Sequence, residues 1–91
     1  MDIIAKMLSP SVNYGVVQMP GRQFPGVVVQ GDSLNEIVQN LKRAKVAFSA
    51  GDLDEALACL DLVINPLEGA LTGYERVCAQ HEIQLPYFRS T

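Results

Sequence analysis

The chain has no tryptophan, one histidine (His81) and two cysteines (Cys59 and Cys78) among 91 residues. Each scarcity removes a class of chemistry. One histidine and two cysteines without a Cys-x-x-Cys spacing cannot supply a zinc ligand set. No metal and no cofactor is expected. Cys59 and Cys78 fall on different helix faces in the reading below, so a disulfide between them is geometrically disfavoured. Free thiols fit a reducing compartment, here the cytoplasm. Charged residues are only 19%, and the net charge is −3. That sign is wrong for a dedicated nucleic-acid binder. No unbroken apolar run approaches the ~18 residues of a membrane span. The opening Met1-Asp2-Ile3-Ile4-Ala5-Lys6 is too short and polar for a signal peptide.

What remains is globular. Hydrophobic residues are 48% of the chain, too many for a disordered segment. A length of 91 residues reads as a single domain over 1–91, with a core small enough to gain from a partner. Three regions succeed one another: a β-hairpin region (1–31), a helical region (32–82) and a tail (83–91).

Residues 3–8 read as a short strand, and Ser9-Pro10-Ser11 ends it. Val12 to Met19 has strand composition. Pro20-Gly21 suits a turn, with proline setting φ and glycine accepting a positive one. A further strand over Gly26–Gln30 follows Phe24-Pro25. A hairpin over 12–30 with a long, kinked connection results.

Ser33-x-x-Glu36, Asp52-x-x-Glu55 and Asn65-x-x-Glu68 then repeat capping-box spacing or a close variant of it. They predict helices over about 33–49, 53–64 and 66–82. Gly51 suits the end of the first. Pro66 is tolerated at the first position of the third. The apolar phase runs through Pro66, so the last two are equally read as one helix with a proline kink. The expected fold class is α+β: a small antiparallel sheet of two to three strands on three C-terminal helices, the last two separate or joined.

The strongest periodicity lies at residues 53–82. Leu53, Leu57, Leu60, Ile64, Leu67, Leu71, Tyr74, Cys78 and His81 recur in steps of four and three, with Ala56, Val63, Ala70 and Val77 beside them. This predicts a buried seam. In the first helix Leu34, Ile37, Leu41, Ala44 and Phe48 form the matching face. Asp54, Asp61, Glu68, Glu75 and Glu82 follow every seventh residue as an anionic edge. Residues 52–82 hold seven acids and one base, a local −6; residues 1–51 hold three acids and five bases, +2; Arg89 completes the total of −3. Such an edge suits a basic partner surface as well as it suits water. The outer face carries small residues, among them Gly69 and Gly73. Glycines four apart allow a second backbone to approach, which marks them as candidates for a self-interface in a homodimer.

No catalytic set emerges. His81 reads as a packed structural histidine, since no nucleophile pattern accompanies it. Asp32 and Glu36 are explained by helix capping. Gly21–Gly26 lacks the Lys-Ser/Thr of a phosphate loop. Lys42, Arg43 and Lys45 have no aromatic partners for nucleic acid. Arg22, beside Tyr14 and Phe24, is a candidate contact, because tyrosine and arginine are enriched in interface hot spots.

The stretch Val12-Asn13-Tyr14-Gly15-Val16-Val17-Gln18-Met19-Pro20-Gly21-Arg22-Gln23-Phe24-Pro25-Gly26-Val27-Val28 resembles a family of small bacterial domains of unknown function. The likeness extends to Leu85-Pro86-Tyr87. Small proteins of this kind resemble immunity proteins, which are encoded beside secreted toxins. A shorter stretch, Phe24-Pro25-Gly26-Val27-Val28-Val29-Gln30-Gly31-Asp32-Ser33-Leu34-Asn35-Glu36, is similar to the strand–turn–helix of HicB-type antitoxins. Both resemblances imply a non-enzymatic protein that neutralises a cognate toxin by occluding its site. The partner contacts would be Asp54, Asp61, Glu68, Glu75, Tyr14 and Arg22. The alternative is a homo-oligomeric structural or regulatory module joined through its C-terminal helices. Neither involves an enzyme, nucleic acid or a membrane.

Overall fold

A computed structural model of the chain describes residues 4–9 and 14–88. The class is α+β. Three short strands form one antiparallel sheet, and two helices follow. The chain divides into two compact units: Met1–Val29 with Leu71–Thr91, and Gln30–Ala70.

In the first unit the strands are β1 (Lys6–Met7), β2 (Val16–Gln18) and β3 (Gly26–Val27). Their order is β1-β2-β3. Lys6 pairs with Gln18 and Met7 with Val17; Val16 pairs with Val27 and Val17 with Gly26. The expected hairpin is therefore present, with strands shorter than the composition suggested. Positions 12 and 13 of the strand expected over 12–19, positions 10 and 11 of the expected break and position 3 of the first expected strand lie outside the described residues. The hairpin's connection opens with a type II turn. Gly21 has φ 74°, and the Arg22 amide donates to the Met19 carbonyl at 3.3 Å. Pro20 and Gly21 occupy the two central positions that this turn assigns to such residues. Pro25 stands just before β3, where no ladder amide is lost.

This unit's core is Val16, Tyr74 and Cys78, with Leu8, Val77, Ile83 and Leu85 packed around it. The tail thus packs back through Ile83 and Leu85. Apart from the Tyr74 hydroxyl, which is hydrogen-bonded, these side chains are apolar or sulfur-bearing, so their burial follows from the hydrophobic effect.

Among the described residues there are two helices, α1 (Gly31–Ser49) and α2 (Leu53–Gln80): of the two readings of the segment around Pro66, the joined helix is the one seen, and not a separate third helix. Pro66 lies inside α2. Its missing amide frees the Leu62 carbonyl, but both residues are exposed, so water can satisfy that oxygen. Asn65 is therefore a mid-helix residue and not a cap. Nor does Ser33 cap α1, which begins two residues earlier. Gln30 is the N-cap residue and makes no side-chain cap. Asp32 Oδ1 accepts instead from the Ser33 amide at 2.8 Å. The Asp52 cap is formed: its Oδ1 accepts from the Glu55 amide at 3.1 Å.

The two helices end alike. At the end of α1 the Gly51 amide donates to Phe48 and the Asp52 amide to Ala47, with Gly51 at φ 78°. At the end of α2 the Glu82 amide donates to Ala79 and the Ile83 amide to Cys78, with Glu82 at φ 56°. Both are Schellman closures, which place one residue in the left-handed region. Gln80 being the last helical residue, His81 and Glu82, expected as the end of the ridge, lie beyond the helix.

Candidate protein-binding face

In the second unit the seam expected to be buried is largely in water. Leu53, Leu57, Ile64 and Leu67 of α2 are exposed, as are Leu34, Leu41 and Phe48 of α1. Ile37 and Leu60 are half-buried. The buried positions are small ones: Ala44 and Ala47 on α1, and Ala56, Cys59 and Val63 on α2. By its place in the heptad pattern Cys59 belongs with Gly69 and Gly73 on the outer face; in the structure it is buried. The cause is steric: alanine and cysteine let two helices approach where leucine would hold them apart.

The turn Ala50–Gly51–Asp52 reverses the chain. Counted outward from it, Ala47 stands level with Ala56, and Ala44 with Cys59. Val46 and Ala47 of α1 line one cleft with Ala50 and Asp52 of the turn and Glu55 of α2, and Arg43 lies close enough for its charge to act on Cys59, so the two helices run back alongside each other from the turn. Cys59 Sγ donates to Glu55 Oε1 at 3.5 Å. Burial, that hydrogen bond and the Glu55 charge push the Cys59 thiol up, and the Arg43 charge opposes them. A thiol held protonated is a poor nucleophile.

At 3.6 residues per turn, Leu34, Leu41 and Phe48 lie about a quarter turn round α1 from its buried row. Leu53, Leu57, Ile64 and Leu67 lie about a quarter turn round α2 in the same sense. For an antiparallel pair, equal rotation in the same sense brings both rows to one side. The hairpin therefore presents a continuous apolar face. Asp54, Asp61 and Glu68 border it along the outer side of α2, and Lys42 and Lys45 along the outer side of α1. Gly69 lies on the other flank of α2 from the apolar row. A Cβ added at Gly69 or Gly73 would meet nothing within 4 Å.

The first unit holds the remaining candidates. Tyr14 is half-buried with φ 61°. Arg22 is exposed, and its carbonyl accepts from Gln18 Nε2 at 2.7 Å. Arg22 and Phe24 line a cleft of about 450 Å³ in the hairpin connection. Glu75 Oε2 accepts from the Tyr87 hydroxyl at 3.1 Å, so it is engaged with the tail. His81 is exposed and not packed: its Nε2 donates to the Leu8 carbonyl at 3.1 Å, in the tautomer that carries the proton there. The pairing of Tyr87 with Glu75 and of His81 with Leu8 had no signal in the sequence pattern. Among the described residues no group of three or more His, Cys, Asp or Glu is placed to hold a metal. By length and composition alone α2 could cross a membrane, although no unbroken apolar run is present.

A family model described as a family of unknown function, DUF6959, matches residues 2–87. The chain belongs to that family. Membership accounts for the resemblance at residues 12–28 and its extension to Tyr87. It does not extend to immunity proteins or HicB-type antitoxins. No curated protein matches the chain, and no solved structure does.

Proposed function

We propose that this protein acts by binding another polypeptide through the apolar face of its helical hairpin, without catalysing a reaction. The observation that carries this is the row Leu53, Leu57, Ile64 and Leu67, exposed along α2 and bordered by carboxylates. Exposed apolar surface of this extent costs solubility unless something covers it. Acids along its edge would orient a partner without supplying much of the affinity.

The form of this reading favoured by the resemblances is an immunity protein or antitoxin. A cationic toxin surface would meet Asp54, Asp61 and Glu68, and the apolar row would exclude water beneath. A cytoplasmic site of action fits both Cys59 and Cys78 being free thiols. It also fits the charges of α2: a residue such as Asp61 at the centre of a membrane span costs about 2.5–3.5 kcal/mol. The test is calorimetric titration with the protein encoded by the adjacent gene. Binding that is lost in Leu57→Glu and weakened in Asp61→Lys supports the reading. Binding that both variants retain rejects this face as the site. A second reading, self-association, is favoured by the opposite signs of the two borders.

A further inference from the structure

The apolar face of the hairpin has borders of opposite charge. Lys42 and Lys45 stand on the α1 side, and Asp61 and Glu68 on the α2 side. We infer that the occupant of this face is a second copy of the chain, related by a two-fold axis running parallel to the helices, so that α1 of each copy lies over α2 of the other. The inference rests on the protein-binding reading above and names its partner.

The charges select that geometry. A face-to-face pair of hairpins has two simple two-fold arrangements. With the axis across the helices, α1 lies on α1 and α2 on α2. Lysines then meet lysines and carboxylates meet carboxylates, which is destabilising. With the axis along the helices, each basic border meets an acidic one. Heights match as well. Counted from the Gly51 turn, Lys42 and Asp61 lie equally far along their helices, and this symmetry leaves height unchanged. Lys42 of one copy therefore stands level with Asp61 of the other, and Lys45 lies about one helical turn nearer the Gly51 end. The product is an antiparallel four-helix bundle, whose core would be Leu34, Leu41, Phe48, Leu57, Ile64 and Leu67. Leucine-rich rows flanked by charges are the usual makings of such a bundle.

Leu34, Leu41 and Phe48 of α1 and Leu53, Leu57 and Ile64 of α2 are each more than two-fifths exposed in the single chain, and this is the surface such a contact would cover. A two-fold contact is also isologous, so one patch serves both copies.

Sedimentation equilibrium of the full chain tests this. The expected mass is twice 9.9 kDa at concentrations on the order of 100 μM. Asp61→Lys alone, and Lys42→Asp with Lys45→Asp, should each raise the dissociation constant by roughly tenfold or more. These positions are exposed, so the fold survives, and unchanged circular dichroism verifies it. Mixing the two variants restores pairing as a heterodimer, because both of its borders then carry opposite charges. A monomer at that concentration overturns the inference. So does a dimer indifferent to these charges, or a mixture that stays apart. A monomer that still binds the adjacent gene's product through Leu57 overturns the second copy alone and leaves the protein-binding reading intact.

Discussion

The hydroxyl of Tyr74 donates to the carbonyl of Pro25 at 2.9 Å, across 49 residues of sequence and out of contact with water. It ties α2 to the chain just before β3. Pro25 is buried, so its carbonyl has no ready substitute. Tyr74→Phe keeps the ring in the core and removes only the donor. Stability should fall by about 1–3 kcal/mol, the cost of a buried acceptor left unsatisfied. Urea unfolding of the two proteins measures it.

The same hydroxyl makes stability depend on alkaline pH. Burial, with the Cys78 thiol and Tyr87 nearby, pushes Tyr74 up to about 12 from its ordinary 10.0. Its neutral form is the one the fold favours. Below pH 10.0 folded and unfolded chains both hold the proton, and the contribution is fully present. Between 10.0 and about 12 the unfolded chain releases it first, and stability declines. The urea midpoint should drop across that window, and Tyr74→Phe should lose that part of the decline.

Cys59 should be slow to react. Its thiol is pushed up by burial first and then by Glu55, and the thiolate is the reactive species. Labelling of the native protein with a thiol reagent near pH 8 should proceed well below the rate of the unfolded chain. Glu55→Gln removes a charge that opposes ionisation, so it should label faster. An equal rate in both would show that burial alone protects the sulfur.

The two Schellman closures differ in one residue. Gly51 adopts φ 78° without strain, while Glu82 adopts φ 56° with a side chain attached. Gly51→Ala should lower stability by about 1–2 kcal/mol, the left-handed cost of a Cβ. Glu82→Gly should raise it by a comparable or smaller amount, offset by glycine's extra freedom in the unfolded chain. Thermal unfolding of both variants gives the two signs.

Gly69 and Gly73 offer a separate discrimination. A Cβ at either meets nothing within 4 Å, so alanine should add about 1 kcal/mol of helix stability at each site. If the protein instead self-associates through these glycines, alanine would weaken the dimer. Stability that rises with an unchanged mass in sedimentation locates the interface elsewhere.

Local chemistry made several elements legible without any structure. Pro20-Gly21 dictates its turn, because proline fixes φ and glycine takes the positive angle that follows. Asp52 before Glu55 dictates the start of α2, and Gly51 the end of α1. The strand pairing followed from two β-rich runs on either side of that turn. Two other signals misled. Ser33 and Asn65 have capping spacing, but each lies within a helix already under way. For Asn65 the surrounding apolar period carried the helix through Pro66, and the lost hydrogen bond fell on the watered side.

The candidate site was half legible. The periodicity identified the leucine row of α2 and the acids beside it, and they do share adjoining strips of one helix. It could not say which strip the fold hides. A period of 3.6 shows which residues lie together on a helix, not what lies opposite them. Here Ala44, Ala47, Ala56 and Cys59 permit close approach and take the buried positions, because small side chains bring two backbones together. The larger leucines are left a quarter turn away, facing outward. Composition and turn residues by themselves determined the class, the hairpin, the end of α1 and the start of α2, since those depend on neighbours within a few positions. Only tertiary structure decided which apolar row is core and which is surface, since that choice depends on how closely two distant segments can meet.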